Sequence, residues 1–203
     1  IEEEIQRVVP VIEMIKKEFD IPVSIDSYKS QVVEAALQAG ADLVNDIWGL
    51  KYDRKVADLI AKYHVPCCLM HNRDKAEYDN FLDDMCADMR ESLAIAKEAG
   101  IKDEQIILDP GVGFGKTYEH NLIAIHHLER LVELGYPVLL ATSRKSVIGT
   151  ALDLPSDQRV EGTLVTTVLG VEKKAAFVRV HDVKENLRAI RMTQAIMREG
   201  QNL

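Results

Sequence analysis

A short segment near the end of the chain carries basic side chains that could hold a phosphate group. In RVHD, residues 179–182, Arg179 and His181 stand two positions apart, so in a strand they share one face and Val180 takes the other. Arginine forms strong paired hydrogen bonds with phosphate oxygens, and the pair therefore predicts an anion site. A histidine alone at the end of an apolar strand would more often be structural, but the neighbouring arginine favours the functional interpretation.

A second basic segment, TSRKS at residues 142–146, follows the apolar run PVLLA. If the strand continues through it, Ser143 and Lys145 share a face, and Lys145 enters the site. Arg144 would then lie among the helices or bind a carboxylate. A solvated basic turn is the alternative, which the preceding apolar run makes less favoured.

A glycine-rich segment, DPGVGFGKT at residues 109–117, offers a carboxylate for a different kind of ligand. A phosphate-binding loop would require glycine where Pro110 stands, so that motif fails by one position. We prefer the interpretation that Asp109 ends a strand and points into the site, while the glycines let a flat ligand approach the backbone. A buried carboxylate needs partners, and a ligand with two adjacent N–H donors, such as an aminopyrimidinone, would provide them. The alternative that Asp109 is only a turn or helix-cap residue stays open.

Other candidates carry weaker signals. Asp26 and Asn45 end two earlier apolar runs, but both residue types favour turns in any case. Met70 could pack on a planar ligand or fill the core equally well. Trp48 follows a strand and is either a lid or a packing residue. Four further histidines show no shared ligand spacing, and we leave them unassigned. They are His71, His120, His126 and His127.

These candidates stand at or near the ends of six apolar runs of strand length, and a helical pattern follows each run. The runs are residues 22–26, 41–46, 65–71, 105–111, 137–145 and 175–182. Regular alternation of this kind predicts βα units around a parallel sheet, with the site at the carboxyl ends of the strands. An open doubly wound sheet would concentrate its site at one switch point. Because every run carries candidates, we favour an α/β TIM (β/α)8 barrel, with six of its eight strands in this sequence.

Helical spacing places the helices between and around these runs. We expect a first helix over residues 1–19, kinked at Pro10, and further helices over residues 29–39, 53–63, 80–99, 118–134, 156–173 and 184–198. Gly40, Gly100 and Gly135 follow three of them, where a left-handed cap favours glycine. The helix over residues 80–99 carries an apolar stripe formed by Phe81, Met85, Met89, Leu93 and Ala96.

The composition indicates a globular protein with one core. No linker, charge block or low-complexity tract marks a second domain, so residues 1–203 are predicted to form a single domain. The net charge of −8 argues against nucleic-acid binding, which would need a basic stripe. Lys145, Arg179 and His181 could still oppose the overall sign locally and hold a small anionic substrate.

Neither a membrane span nor an export signal is predicted. No apolar stretch approaches the roughly 20 residues needed to cross a bilayer, and no basic-then-apolar leader opens the sequence. Cys67 and Cys68 are adjacent in an apolar run, and Cys86 leaves an odd count. These features favour reduced packing cysteines in a cytoplasmic protein, and their spacing does not suit a metal site.

Several blocks occurring together, in order and nearly end to end, resemble the dihydropteroate synthase family of pterin-binding barrels. They are SID with Ser27 and Lys29, AGADLVNDI, LMH, LDPGVGFGKT with EHN, TSRKS with Ile148 and Gly149, Arg159 with EGT, and VRVHDVKE. The resemblance implies an enzyme that joins 6-hydroxymethyl-7,8-dihydropterin diphosphate to p-aminobenzoate, releasing pyrophosphate, in folate biosynthesis.

The resemblance also implies roles for individual residues. The pterin ring would be held by Asp26, Asn45, Asp109 and Lys145, with Met70 against its face. The diphosphate would be held by Arg179 and His181, with Val180 among the substrate-binding residues, and the p-aminobenzoate or sulfonamide side of the pocket by Phe114 and Ser143. Lys145, Arg179 and His181 would be catalytic. Breaking the C–O bond places positive charge on the pterin-methyl carbon, which the carboxylates stabilise, while Arg179, His181 and Mg²⁺ stabilise the leaving group.

Two departures from the family pattern shape the expectations. Family members begin with two further strands, whose loops supply the metal ligand and part of the p-aminobenzoate site. This sequence starts at Ile1 inside a helical pattern, so we expect an N-terminally truncated barrel with no metal ligand of its own and with little synthase activity alone. Ala141 stands where many relatives carry glycine. The resemblance also implies a homodimer formed through the later helices, roughly residues 118–198.

Two alternatives remain beside the synthase. A methyltransferase of the same superfamily that binds methyltetrahydrofolate would share the pterin-holding Asp26, Asn45 and Asp109. It has no need for an anion set formed by Ser143, Lys145, Arg179 and His181. The other alternative is a non-catalytic pterin-binding fragment. Because the anion set is present, we favour the synthase.

Overall fold

The computed structural model describes residues 1–199, and its elements follow the predicted alternation of strands and helices. The strands are β1 (Ser24–Asp26), β2 (Leu43–Asp46), β3 (Cys67–Met70), β4 (Ile106–Asp109), β5 (Leu139–Leu140) and β6 (Phe177–Val178). The helices within this range are α1 (Glu2–Glu18), α2 (Ser30–Gln38), α3 (Lys55–Tyr63), α4 (Phe81–Glu98), α5 (Tyr118–His126), α6 (Glu129–Val132), α7 (Ser146–Leu152), α8 (Val160–Glu172) and α9 (Val183–Glu199). All six predicted strands are therefore present.

The chain divides into two compact units. Unit 1 comprises Ile1–Asn72 and Ala87–Leu108, and unit 2 comprises Arg73–Cys86 and the chain from Asp109 onward. The boundary falls inside α4 and inside β4, so both elements contribute residues to each unit.

The sheet of unit 1 sets side chains from successive strands side by side. Its strand order is β1-β2-β3-β4, and β2 pairs in parallel with both β1 and β3. Parallel neighbours need a crossover connection, which the helices between them provide. The register aligns Asp26 with Asn45, and Asn45 with Cys68. These residues therefore form one row on one face of the sheet, near the carboxyl ends of the strands.

The core of unit 1 follows from the helical and strand periodicities. Val32 and Val33 of α2, Ile60 of α3 and Leu69 of β3 are fully buried. The apolar stripe predicted for α4 is confirmed on both sides of the boundary, since Met89, Leu93 and Ala96 of unit 1 are buried, and so are Phe81 and Met85 of unit 2. Pro10 lies inside α1, as predicted.

Unit 2 is built on two parallel strands with helices packed together. Leu139 of β5 is aligned with Phe177 of β6, and Leu140 with Val178. Leu140, Leu128 and Leu131 are buried, and α8 packs extensively against α9.

Four expectations about the elements of unit 2 are wrong. The strand predicted over residues 137–145 ends at Leu140, and α7, which the pattern did not predict, begins at Ser146. The strand predicted over residues 175–182 ends at Val178. The helix predicted over residues 118–134 ends at His126 and a short second helix begins at Glu129. The helix predicted over residues 156–173 begins as a 3-10 turn and becomes α-helical only at Val160.

Two smaller predictions concern glycines and cysteines, and both are confirmed. Gly40, Gly100 and Gly135 follow helices with positive φ angles of 103°, 85° and 89°. The cysteines at 67, 68 and 86 are buried and carry no disulfide. Burial raises the pKa of the Cys67 thiol to about 12, so this side chain packs as an uncharged apolar group.

Across residues 1–199, none of the helices combines the length and the apolar character that a bilayer crossing requires.

Candidate active site

The centre of the candidate site in unit 2 is the carboxylate of Asp109. Asp109 is the last residue of β4, and only 3% of its surface is exposed. Burial raises the pKa of this carboxyl, while the positive charges of Lys145, Arg179 and Lys116 and the hydrogen bond from Gly111 oppose the rise. The structure therefore brings Asp109 close to the predicted basic residues.

Asp109 also has the local role that the alternative interpretation gave it. The N–H of Gly111 donates to its Oδ1 over 2.7 Å, closing a turn after the strand. One oxygen of the carboxylate is therefore used in the turn, and burial beside several cations goes beyond what a turn requires.

Lys145 lies along the glycine-rich loop of residues 109–117. Its ammonium group donates to the carbonyl oxygen of Val112 and stands 5.0 Å from the centroid of the Phe114 ring. Gly113 has a φ of 90°, and a Cβ there would come within 3.4 Å of the Lys145 side chain. Such a contact has an ordinary van der Waals length, so the positive φ rather than the space favours glycine here. Phe114 and Lys145 are neighbours through a contact between the cation and the ring.

Ser143 and His181 form a pair that joins two loops of unit 2. The Ser143 hydroxyl accepts a hydrogen bond from the His181 main-chain N–H over 3.1 Å and lies 2.9 Å from ring Nδ1. When the hydroxyl donates its own hydrogen to Nδ1, the neutral ring carries its hydrogen on Nε2 and can donate it to an anion. Ser143 is only 6% exposed, so the hydroxyl offers little surface to a ligand directly.

Arg144 binds a carboxylate, which was one of the two alternatives for this residue. Its Nη2 and Nε donate to the two oxygens of Asp182 over 2.6 and 3.1 Å. The main-chain N–H of Arg144 donates to the Thr163 hydroxyl over 3.2 Å. The carbonyl oxygen of Arg144 accepts from the Arg159 guanidinium over 2.8 Å. This network fixes the turn between β5 and α7.

Two pairs of site residues were predicted to share a strand face, and this reasoning is wrong although the residues do converge. The pairs are Ser143 with Lys145 and Arg179 with His181. Arg144 has a φ of 58°, so the chain turns between Ser143 and Lys145 and strand alternation does not apply. Arg179 and His181 lie beyond β6, where the main-chain N–H of Arg179 donates to Leu140 over 3.1 Å. Arg179 and His181 are both exposed, and Val180 between them is half-buried.

Unit 1 places its three predicted residues along one sheet. Asp26 ends β1 and is exposed, Asn45 beside it is 5% exposed, and Met70 ends β3 with 3% exposed. Met70 is two residues beyond Cys68, which shares the row of Asp26 and Asn45, so strand alternation puts all of them on the same face.

Two buried polar residues of unit 1 were given no role in the sequence analysis. Asp46 is fully buried and accepts from the N–H groups of Trp48 and Leu50 over 2.8 and 2.9 Å. His71 is fully buried, with Nε2 2.9 Å from a carboxylate oxygen of Asp88. The NDIWG segment signalled a turn, but the partner of His71 lies on α4, 17 residues away, and no sequence pattern reveals it.

Trp48 belongs to an aromatic group. The centroid of its ring lies 6.1 Å from that of Tyr52, and the Tyr52 and Tyr28 ring centroids are 4.7 Å apart.

Over residues 1–199 no group of three or more His, Cys, Asp or Glu side chains is arranged to hold a metal ion. We therefore assign no magnesium ligand among the described residues.

Comparison with known proteins identifies the family. The sequence model of the family described as "Pterin binding enzyme" matches residues 1–181. The dihydropteroate synthase of Clostridium beijerinckii is 63% identical over 198 residues, which cover 97% of this chain and 74% of that protein. The Bacillus subtilis enzyme of the same name is 51% identical, covering 98% and 70%.

The chain belongs to the dihydropteroate synthase family. Its activity is that of this family, a transferase reaction that forms dihydropteroate in folate biosynthesis, as the sequence predicted.

Solved structures of dihydropteroate synthases confirm the predicted α/β TIM-barrel fold class. A Clostridium difficile dihydropteroate synthase, crystallised in the presence of pteroic acid, matches with a TM-score of 0.94 at 50% identity, covering 96% of this chain and 74% of that chain. A Yersinia pestis dihydropteroate synthase in complex with a sulfonamide drug matches with a TM-score of 0.93 at 35% identity, covering 98% and 74%.

Proposed function

We propose that this chain joins 6-hydroxymethyl-7,8-dihydropterin diphosphate to p-aminobenzoate, giving 7,8-dihydropteroate and pyrophosphate. The observation that carries the proposal is the buried Asp109 carboxylate, which lies among the charges of Lys145 and Arg179 in unit 2. A pterin diphosphate combines N–H donors that suit a carboxylate with an anionic group that suits basic side chains.

Asp109 is proposed to hold the pterin through its N–H donors. Since one carboxylate oxygen already accepts from Gly111, the rest of the carboxylate's acceptor capacity serves the ligand. Donors from the ligand stabilise the charged form of the carboxyl and so offset the burial that raises its pKa. Lys145, held against the loop at Val112 and Phe114, supplies a fixed positive charge beside it.

Arg179 and His181 are proposed to bind the diphosphate, with Val180 between them in the substrate contact. Arg179 offers paired donors for phosphate oxygens, and His181 offers the Nε2 hydrogen that its bond to Ser143 makes possible. When the bond between the methylene carbon and the diphosphate oxygen breaks, the bonding electrons leave with pyrophosphate. These donors stabilise the negative charge that develops there.

The amine nitrogen of p-aminobenzoate then forms the new bond to the methylene carbon and loses its proton to solvent. Phe114 is proposed to contact the aromatic ring of this substrate, because the Phe114 side chain is half-buried and held beside the Lys145 ammonium. Ser143 is proposed to support this side of the site through His181. No residue needs a tuned pKa as a general base, and most of the rate enhancement comes from positioning and electrostatics.

In unit 1, Asp26 and Asn45 are proposed to contact polar atoms of the pterin, and Met70 its flat face. The alignment of Asp26 with Asn45 in neighbouring strands supports a joint role, since both side chains emerge on the same face of the sheet.

Magnesium is proposed to assist diphosphate binding. The described residues show no arrangement that fits the ion, so none of them is assigned as its ligand. Titration of diphosphate affinity against magnesium concentration tests this point, and affinity that does not depend on magnesium would contradict it.

A homodimer is proposed from an apolar groove on unit 2, and a cytoplasmic location from the three reduced cysteines. Helices α5, α7 and α8 line a groove of about 370 Å³. Leu122, Leu152 and Val165 leave 42%, 46% and 59% of their surfaces exposed there. An exposed apolar patch of this kind is typical of a protein interface.

Pyrophosphate release tests the proposed reaction. The purified protein is mixed with pterin diphosphate, and pyrophosphate is followed before and after p-aminobenzoate is added. We expect release that depends on p-aminobenzoate and matches the dihydropteroate formed. Binding of the pterin without turnover would instead support a non-catalytic protein, and a preference for methyltetrahydrofolate would support the methyltransferase.

A further inference from the structure

The segment of residues 73–80, which has no helix or strand, touches the glycine-rich loop of unit 2. The contact is between main chains at Gly115. A Cβ on Gly115 would overlap the carbonyl oxygen of Arg73 and lie 2.8 Å from its nitrogen. Gly115 also has a φ of 55°, so both the space and the backbone conformation exclude a larger residue.

Tyr78 fastens this contact. Its hydroxyl donates to the carbonyl oxygen of Gly115 over 2.7 Å, and the Arg73 guanidinium lies 4.4 Å from the centroid of its ring. Arg73 is itself held, since it donates to the carbonyl oxygen of Glu77 over 2.6 Å and lies 3.7 Å from a carboxylate oxygen of Asp84. The tyrosine is therefore fixed by a cation over its ring and a hydrogen bond at its tip.

Aromatic contacts also connect Tyr78 to the end of the same loop, where α5 begins. Its ring meets Phe81 and His120 edge to face, each with centroids 4.9 Å apart, and Phe81 stacks on His120 at 4.7 Å. The His120 N–H donates to the hydroxyl of Thr117 over 3.2 Å at the start of α5. The segment therefore contacts the loop directly at Gly115 and, through the His120 ring, contacts the start of α5.

A residue of the proposed site lies next to the first of these two points. Phe114 directly precedes Gly115, and Lys116 follows it. The Lys116 ammonium donates to the carbonyl oxygens of Phe114 and Gly111 over 2.9 and 3.0 Å, which closes the loop on itself. Anchoring Gly115 therefore fixes where the Phe114 ring stands relative to Lys145.

We propose that Tyr78, held by Arg73, is a positioning residue for the arylamine substrate, because it keeps the Phe114 loop in its binding-competent conformation. The inference rests on the proposed function, since Phe114 is the residue assigned to the ring of p-aminobenzoate. Glycines with positive φ at 111, 113 and 115 give the loop many alternative conformations. A substrate that meets a partly populated competent state binds more weakly in proportion to that population.

The first test is Tyr78→Phe, which removes only the hydroxyl. Loss of one such hydrogen bond lowers the equilibrium constant for the competent loop conformation roughly 3- to 10-fold. We expect the KM for p-aminobenzoate to rise by up to that factor, which is reached when the competent conformation is already a minority, while kcat and the affinity for pterin diphosphate stay within about twofold. The matched control is Tyr63→Phe at the end of α3, which should change none of these quantities.

A second readout does not depend on turnover. Hydrogen exchange of the amides in residues 111–117 should become faster in Tyr78→Phe and remain unchanged in Tyr63→Phe. Arg73→Lys keeps the charge over the ring but loses the planar contact, so its effect should be smaller than that of Arg73→Ala.

Three results would overturn the proposal. One is an unchanged KM for p-aminobenzoate together with unchanged exchange. Another is an equal loss in pterin affinity, kcat and melting temperature, which would mean general support of the fold. The third is faster hydrogen exchange in residues 111–117 together with an unchanged KM for p-aminobenzoate. Failure of the proposed function would look different, because the unaltered protein would then release no pyrophosphate at all.

Discussion

At the scale of single residues, the molecule uses buried polar groups in two distinct ways. Asp109 lies among cations and accepts a main-chain hydrogen bond from Gly111, whereas Asp46 and His71 are satisfied by neighbours within their own unit. Asp46 accepts two main-chain N–H groups and holds the turn after β2. Burial alone therefore does not mark a binding residue, and the kind of partner does.

Asp46 gives a prediction about stability and pH. Burial raises the pKa of its carboxyl to about 6, above the ordinary 3.8, and the charges of Asp26 and Asp53 add to the rise. A raised folded-state pKa stabilises the protein at acid pH, and this contribution is lost as pH rises from about 4 through 6. The loss can reach about 3 kcal/mol, since each unit of pKa is worth about 1.4 kcal/mol.

Urea unfolding of the parent protein and of Asp46→Asn, at several pH values between 4 and 7, measures this contribution. The stability of the parent relative to the variant should fall as pH rises. The missing acceptor in the variant gives a constant offset, which leaves the pH dependence unaffected. Asp58→Asn on α3 is the exposed control, and a difference that is flat across this range would contradict the prediction.

The sequence placed side chains at strand ends correctly in the first four strands, but the runs expected to reach Lys145 and Asp182 end earlier, at Leu140 and Val178. Asp109, Asn45 and Met70 lie at or next to strand ends, as their positions indicated. The anion-binding role predicted for His181 stays a prediction, and the bond of His181 to Ser143 joins two loops 38 residues apart. No local pattern encodes such a pair, so this contact became visible only in the structure.

At the scale of elements, the loops after β5 and β6 are joined by the pair of Arg144 and Asp182. Strand and helix periodicity located both strands, but it could not show where they end. The left-handed conformation of Arg144 is rare outside glycine, and it persists because Asp182, Thr163 and Arg159 all bind this residue. Long-range bonds of this kind override the local pattern.

A double-mutant cycle on Arg144→Ala and Asp182→Ala measures the coupling free energy between these two side chains. We expect a coupling free energy of about 1 kcal/mol, because the two side chains are only partly exposed and form two hydrogen bonds. Each single variant should also weaken pterin diphosphate binding, since Lys145 and His181 are the neighbours of the pair in sequence. The pair of Arg7 and Glu3 on α1, whose side chains are 76% and 77% exposed, is the matched control and should show almost no coupling. Coupling as small as in this control would contradict the role given to the joint.

At the scale of the whole molecule, a net charge of −8 coexists with a basic cluster in unit 2. The sequence predicted the fold class from the alternation of strands and helices. The packing of α7 against α8 was not predictable, because the helix was missed and Gly162 alone gives no signal. A Cβ at Gly162 would overlap Ile148, so the two helices are in direct contact there.

The proposed dimer gives a prediction at this scale. Val165→Glu places a charge in the middle of the apolar groove, and a buried unpaired charge is costly. We expect the variant to be a monomer at concentrations where the parent protein is a dimer, as measured by light scattering after gel filtration. Val183→Glu, at an equally exposed apolar residue at the start of α9, is the control and should leave the mass unchanged. A parent protein that is already monomeric would contradict the proposal.

The most direct test of the central claim is equilibrium binding by calorimetry, with pterin diphosphate and with the same pterin lacking the diphosphate. The claim is that Asp109 holds the pterin while Arg179 holds its diphosphate. Asp109→Asn should lose roughly 10- to 100-fold in affinity for both ligands, because a charged hydrogen-bond acceptor is removed. Arg179→Ala should lose a similar factor for pterin diphosphate and almost none for the pterin alone. Equal losses for both ligands in Arg179→Ala, or unchanged binding in Asp109→Asn, would contradict the account.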